Sequence, residues 1–327
     1  MTPLLSVVSL CYNHGLYIEK SIIGVLSQKT SFVFEYIIHD DASTDSSRKI
    51  IEYYASLYPN IIFPVFQDVN QYSLGVPISF NLFKYKARGK YIALCECDDY
   101  WTDNTKLQKQ VDYLESNNMI AGVAHRSIIV DKNGNPKCRN FKENFYFYRK
   151  HRLYTLKDFE LGFQPGQTAT WVFRKELVLG KNEKDFNKIT SVKSTGDTKI
   201  AALLAIQGGI YCMDDVMSCY RLVNDSGSSW NARIKNKNMS KFFYDANKSI
   251  MRLIDDLYGY KIKPYYINSN ILLGTLKKYI NNRNKENYKI LLYIYSDMEY
   301  KLITLLLLIF KILLIIPKII FKKLLFK

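Results

Sequence analysis

The stretch YIALCECDDYW, residues 91–101, decides the fold. Its opening run, Tyr91-Ile92-Ala93-Leu94, reads as a strand buried on both faces, the mark of a parallel sheet. Glu96, Asp98 and Asp99 follow almost at once. In an open α/β sheet, ligands lie beyond the carboxyl ends of the strands, so this strand brings carboxylates to a binding edge. A second stretch, IIHDDASTDSS (residues 37–47), repeats the arrangement, with the run Tyr36-Ile37-Ile38 leading to Asp40-Asp41. Carboxylates gathered on one edge repel one another and are costly without a partner. A divalent cation and a phosphate-bearing ligand would supply one.

Around these two stretches, residues 4–11, 35–39, 61–66 and 91–95 read as strands. Helices alternate with them. Residues 17–28 carry Ile18, Ile22, Val25 and Leu26 at helical spacing. Ser43, Thr44 and Asp45 offer N-caps for a helix to about Leu57, and 77–87 forms the next. Alternation at this length predicts parallel pairing through right-handed crossovers. Beyond the second acidic cluster, 105–114 reads as a helix with Thr105 and Gln108 as a capping box. Residues 119–130 contain a strand and 131–136 (DKNGNP) a turn. Residues 168–174 and 210–213 are strand-like, 198–206 is helical, and 141–152 has no clear pattern.

The chain has 327 residues and a formal charge of +16. From Asn231 to Lys327 there are 19 Lys/Arg against 6 Asp/Glu, so +13 of the +16 lies in that stretch. A basic extension on a nearly neutral body predicts an anionic surface as partner. The aromatics there (Phe242, Phe243, Tyr265, Tyr266) fall in helical patterns rather than between arginines, which argues against nucleic acid. The last segment, residues 301–327, has a clean apolar run from Leu302 to Phe310, broken by Lys311, Pro317 and Lys318. Lys311, Lys318 and Lys322, spaced by seven and four, share a helical stripe. Such a helix is expected to lie in a membrane interface with its lysines reaching toward anionic headgroups.

Six cysteines (Cys11, Cys95, Cys97, Cys138, Cys212, Cys219) form no CxxC pair. They are expected to be core or wall thiols in a reducing compartment. His14, His39, His125 and His151 share no metal-ligand spacing. Residues 4–10 are too short, and lack the basic leader, for a signal peptide.

Four motifs occur in order: SVVSLCYNHGLYIEKSIIGVLSQ (6–28), IIHDDASTDSS (37–47), ARGKYIALCECDDYWTDNTKLQKQV (87–111) and STGDTKIAALLAIQGGIYCMDDVMSCYR (194–221). With them the chain resembles a family 2 glycosyltransferase of the GT-A fold over residues 3–230. The resemblance implies a Rossmann-like, mostly parallel α/β sheet flanked by helices in residues 1–230. A helical extension (231–300) and the membrane-surface helix (301–327) follow. It places Tyr12, Asn13, Asp40, Asp41 and Asp98 at the nucleotide, and Asp99, with Asp98, on a Mn²⁺ or Mg²⁺ ion. It places Asp197 as the base that takes the acceptor hydroxyl's proton. Trp101, Gln167, Thr168 and Thr170 fall on the acceptor side. Arg221, Ser228, Ser229 and Trp230 form a lid over the diphosphate. Glu96 stands where Asp is commoner, and Asp214-Asp215 reads as a structural loop.

The resulting expectation is a metal-dependent inverting transferase. Its donor is a nucleotide-diphosphate sugar, UDP-linked by family tendency. Its acceptor is a hydroxyl of a membrane-bound, lipid-linked saccharide, as in bacterial surface polysaccharides (O-antigen or capsule), at the cytoplasmic face of the inner membrane. A polyprenyl-phosphate acceptor is a second possibility, needing little help from Asp197. A nucleotidyltransferase is disfavoured because CYNHGLY (11–17) is no phosphate cradle. A non-catalytic sugar-nucleotide-binding scaffold is the reading from outside enzymology.

Overall fold

The computed structural model describes residues 2–137, 145–146, 152–223 and 238–325. Contacts divide the chain into two compact units. The first comprises residues 1–159, 164–191 and 195–235; the second comprises 160–163, 192–194 and 236–327.

The first unit is built on one mixed sheet. Four parallel strands form its leading half: β1 (Leu5–Cys11), β2 (Phe34–Asp40), β3 (Ile62–Phe66) and β4 (Tyr91–Leu94). Helices α1 (Ile18–Leu26), α2 (Ser47–Leu57) and α3 (Ile78–Tyr85) connect them. The spatial order is β3-β2-β1-β4. After β1 the chain moves outward through β2 and β3, then crosses to the other side of β1. The crevice between β1 and β4 is therefore a topological switch point, where such sheets bind ligands.

The other half of the sheet is mixed. It contains β5 (Tyr100–Trp101), β6 (Gly122–Val130), the two-residue β7 (Phe145–Tyr146) and β8 (Arg152–Tyr154). Strand β9 (Val172–Arg174) runs antiparallel to both β4 and β6, and β10 (Ile210–Arg221) runs parallel to β6. Helices α4 (Lys106–Ser116), α5 (Leu156–Glu160), α6 (Glu183–Ser191) and α7 (Gly196–Ile206) complete the connections. The first unit's core gathers Leu5, Val7, Ile18, Ile22, Tyr36, Ile38, Tyr91, Ala93, Leu107, Val111 and Val172. Gly89 permits a close approach here, because a Cβ on it would meet the Leu5 carbonyl carbon at 2.6 Å.

Three local expectations are corrected. Thr105 and Gln108 form no capping box. The Thr105 amide and hydroxyl both donate to Asp103 Oδ1 at 2.7 Å, and Gln108 Oε1 accepts from the Ser31 amide. Residues 168–174 are not one strand: Thr168–Thr170 is a 3₁₀ turn leading into β9. Strand β10 does not stop at Met213 but continues through a bulge between Cys212 and Val216 to Arg221. There Asp214 pairs with Arg126 at 2.7 Å and Asp215 with Lys109 at 3.4 Å. The pair is structural, in a bulge rather than a loop.

Among the described residues the second unit holds four helices: α8 (Ser240–Tyr258), α9 (Tyr265–Asn281), α10 (Lys285–Asp297) and α11 (Lys301–Leu325). Its core contains Tyr244, Leu272, Ile294, Met298 and Leu308. The last helix thus groups with the three before it. Lys311 does not join an outward lysine stripe. Its Nζ donates to Ser269 Oγ and Asn270 Oδ1, each at 2.6 Å, and lies 3.8 Å from the Tyr266 ring centre. The reason is rotational. Burying Thr304 and Leu308 turns Lys311, at i+3 from Leu308, toward α9. The outward face is instead apolar: Leu302, Ile303, Leu306, Ile309, Phe310 and Leu313 are 44–72% exposed. The side chains of Lys318 and Lys322 lie outside the described residues. Among the described residues, no helix is long and apolar enough to cross a membrane.

Candidate active site

Strand register brings the ends of β1, β2 and β4 together. Cys11 is opposite Asp40, and Leu5 through Val8 are opposite Tyr91 through Leu94. The loops beyond them carry Tyr12-Asn13, Asp41-Ser43 and Glu96–Asp99. Asn13, in the left-handed region (φ 57°), ties two of these loops together. Its amide donates to Ser43 Oγ at 2.9 Å and its Oδ1 accepts from the Thr44 amide at 2.8 Å. Tyr12 beside it is partly exposed.

The two aspartates of the first cluster have different roles. Asp41 Oδ1 and Oδ2 accept from the amides of Gln71 (2.6 Å) and Tyr72 (3.1 Å), so this carboxylate pins the loop after β3. Asp40 is fully buried. Its Oδ2 accepts weakly from the Ser43 amide (3.3 Å), and its Oδ1 has no partner. A buried acceptor left unpaired costs about 1–3 kcal/mol, a cost that a ligand N–H would remove. His39 does not orient Asp40 through Nδ1, which is buried and unpartnered. Burial pulls its pKa down against the charges of Asp41 and Asp40.

The second cluster departs from the expected assignment. Asp99 is buried with both oxygens engaged. Oδ1 accepts from the Arg221 amide at 2.7 Å and Oδ2 from Gln167 Nε2 at 2.6 Å. Burial, then Asp98 and Glu96, push its pKa well up. A carboxylate so enclosed is a poor ligand for an entering cation. Asp98, partly exposed one residue earlier, is the open carboxylate. Asp99 is thus bonded within the loop, and Asp98 is the member of the pair left partly exposed. Glu96 Oε2 is buried without a partner. Burial, then the charges of Asp98 and Asp197, raise the Glu96 pKa to about 7, with Thr168 opposing. The Asp197 carboxylate thus acts on the same site as Glu96 and Asp98, although it begins α7 a hundred residues on. Asp197 sits in the helix's first turn, partly exposed, with Oδ1 accepting from the Thr198 amide at 2.7 Å.

The donor set fits a divalent cation. Asp98 supplies an open hard oxygen, and Glu96 an orphaned one whose pKa is raised first by burial and then by like charge.

Three peripheral assignments change. Arg221 is not a lid residue. It is buried, with Nε donating to the Asp98 carbonyl (2.9 Å) and Nη1 to the carbonyls of Asp131 (3.1 Å) and Lys132 (2.7 Å). Its guanidinium also stacks 4.5 Å from the Tyr17 ring centre. It clamps the Asp98 loop. Trp101 does not wall an open acceptor site. It is buried in the core, and its Nε1 donates to the Ala169 carbonyl at 2.8 Å. Gln167 both receives the Ala169 amide and donates to Asp99, so it supports the acidic loop. Thr168 stays close enough to act on Glu96, while Thr170 is buried with its hydroxyl on the Gln167 carbonyl. Ser228, Ser229 and Trp230 lie outside the described residues.

Sequence reasoning missed one grouping. Cys11, His14 and Cys97 each place a ligand atom within 4.8 Å of the others. Cys11 precedes His14 by three residues, but Cys97 lies in the turn beyond β4, and only the β1–β4 register shows that they meet. It missed a second residue, Lys106, buried against the Trp101 ring at 4.0 Å and donating to Gln110 Oε1. Burial lowers its pKa to about 7.

The sequence model of the family "Glycosyl transferase family 2" matches residues 6–178. Uncharacterized proteins of Mycobacterium tuberculosis are 47% identical over 111 residues, covering 34% of this chain, and the match spans only 31% of their length. The putative teichuronic acid biosynthesis glycosyltransferase TuaG of Bacillus subtilis is 26% identical over 236 residues, covering 71% of this chain and 85% of that protein. Among solved structures, S. aureus TarS 1–349 in complex with UDP-GlcNAc aligns with a TM-score of 0.57 at 17% identity. That alignment covers 90% of this chain and 80% of that one. The mannosyltransferase PcManGT of Pyrobaculum calidifontis, in complex with GDP-Man and Mn²⁺, aligns at 0.54 with 13% identity, covering 95% and 88%. At these identities the structural likeness shows the fold alone.

Proposed function

We propose, from the premise that the chain belongs to glycosyl transferase family 2, that it moves a sugar with inversion from a UDP-linked donor to a hydroxyl of a membrane-associated saccharide. The observation that carries this reading is the distribution of acceptors at the strand ends. Asp41 and Asp99 have both oxygens bonded within the protein, whereas Asp40 Oδ1 and Glu96 Oε2 are buried and unpaired.

Asp40 Oδ1 accepts the ring N–H of the base. Asp98, with Glu96 beside it, holds Mn²⁺ or Mg²⁺, which supplies positive charge against the departing diphosphate. Arg221, Gln167 and Asp99 keep the Asp98 loop in place. Asp197 removes the acceptor's proton as its oxygen attacks the anomeric carbon. The new C–O bond forms as the bond to the diphosphate breaks, the proton ends on Asp197, and a nucleoside diphosphate leaves. TuaG is named for teichuronic acid biosynthesis, which supports a surface-polysaccharide acceptor. The outward apolar face of α11 supports attachment at the cytoplasmic membrane surface.

Calorimetry of UDP- and GDP-sugars with and without Mn²⁺ tests the donor half. We expect one donor to bind only with the ion, with binding weakened by Asp40→Asn and Asp98→Asn and unchanged by Asp197→Asn. No ion-dependent binding of any nucleotide sugar would refute the reading.

A further inference from the structure

We propose that Cys11, His14 and Cys97 form a site for a thiophilic cation of the Zn²⁺ class, separate from the carboxylates assigned to the hard ion. This inference does not depend on the proposed function.

Three features build the site. The β1–β4 register, Leu5 opposite Tyr91 through Val8 opposite Leu94, carries forward beyond β4. The Cys97 amide lies 3.5 Å from the Leu10 carbonyl, which sets Cys97 beside Cys11. The left-handed turn at Asn13 then folds the chain so that His14 returns over Cys11. Ser47 Oγ, accepting from the His14 amide at 2.9 Å, fixes that turn. Both thiols are buried and unbridged. His14 Nδ1 is buried with no hydrogen-bond partner.

Zn–S bonds of about 2.3 Å and Zn–N bonds of about 2.0 Å put tetrahedral ligands somewhat closer together than the 4.8 Å span of this cluster. Ion binding would draw the three ligand atoms inward by about 1 Å. Two thiolates and an imidazole favour Zn²⁺ over Mg²⁺ or Mn²⁺, which prefer oxygen. Neighbouring sites of opposite softness can therefore hold different ions. Binding converts two thiols and Zn²⁺ into a dithiolate complex and releases two protons to solvent. A water completes the fourth position.

Cobalt serves as the probe. The full-length protein, kept reduced with a phosphine and stripped by chelator, is titrated with Co²⁺ in excess Mg²⁺. The expected result is a thiolate-to-cobalt charge-transfer band that saturates at one ion per chain and disappears on adding Zn²⁺. Cys11→Ser and Cys97→Ser should each weaken Co²⁺ binding by roughly tenfold or more, since loss of even an outer-shell partner costs that much. Cys212→Ser, a buried thiol elsewhere, should leave it unchanged. Tryptophan emission verifies that each variant is folded. Absence of the band in the folded wild-type protein, its survival in both Cys11→Ser and Cys97→Ser, or a Cys11–Cys97 disulfide under these reducing conditions would each overturn the proposal.

Discussion

Replacing Glu96 with Gln isolates one of the charges that burial in the candidate site disfavours. In the folded protein the Glu96 acid is raised from 4.5 to about 7, first by burial and then by Asp98. Between those two values the folded state binds more protons than the unfolded state. Stability therefore falls as pH rises through this window, and the loss is complete above about 7. At about 1.4 kcal/mol for each factor of ten in acidity, the full effect is on the order of 3 kcal/mol. Roughly 2 kcal/mol of it falls between pH 5 and 7.5. The assay is urea denaturation in chelator, followed by tryptophan fluorescence, because Trp101 and Trp171 are both buried in the first unit. Other carboxylates titrate in both proteins, so the difference between wild type and Glu96→Gln is what counts. The variant should gain roughly 2 kcal/mol on the wild type as pH is raised from 5 to 7.5. Parallel pH profiles for the two proteins would show that Glu96 is not held protonated, and the reasoning would fail.

Asp99→Asn should lower stability by roughly 1–3 kcal/mol, because its new NH₂ must face Gln167 Nε2 or the Arg221 amide; Asp98→Asn should leave the melting temperature nearly unchanged while abolishing Mn²⁺-dependent donor binding. Arg221→Lys removes the fork that reaches the carbonyls of Asp98, Asp131 and Lys132. It should cost roughly 1–3 kcal/mol in thermal denaturation and lower turnover as the Asp98 loop loosens. Leu306→Glu with Phe310→Glu should weaken sedimentation with anionic vesicles by at least about a hundredfold, since each apolar side chain contributes about 1.5–3 kcal/mol; unchanged sedimentation would remove α11 as the membrane contact.

The leading half of the sheet was legible because its strands are short, continuous apolar runs closed by polar residues. The register places Asp40 and the Glu96–Asp99 loop where those runs end. Strand β10 was only partly legible. Asp214 and Asp215 interrupt its apolar pattern, and the bulge that accommodates them depends on Arg126 and Lys109 from other elements. The same limit applies within the acidic pairs. Nothing local distinguishes Asp40 from Asp41, or Asp98 from Asp99. The distinction comes from the amides of Gln71 and Tyr72 in one case, and from Gln167 and Arg221, far along the chain, in the other. Lys311 shows the corresponding limit for helices. Lysine spacing defines a stripe, but the buried Thr304 and Leu308 decide which way it faces.

Nucleoside-diphosphate release bears most directly on the transfer chemistry. It would be followed across a panel of sugar nucleotides with Mn²⁺ and a membrane lipid extract, for wild type, Asp98→Asn and Asp197→Asn. Release is expected from one donor, stimulated by the extract, absent in Asp98→Asn and reduced by roughly a hundredfold or more in Asp197→Asn. Full activity in Asp197→Asn would contradict Asp197 as the base and favour an acceptor that is already ionised, such as a polyprenyl phosphate.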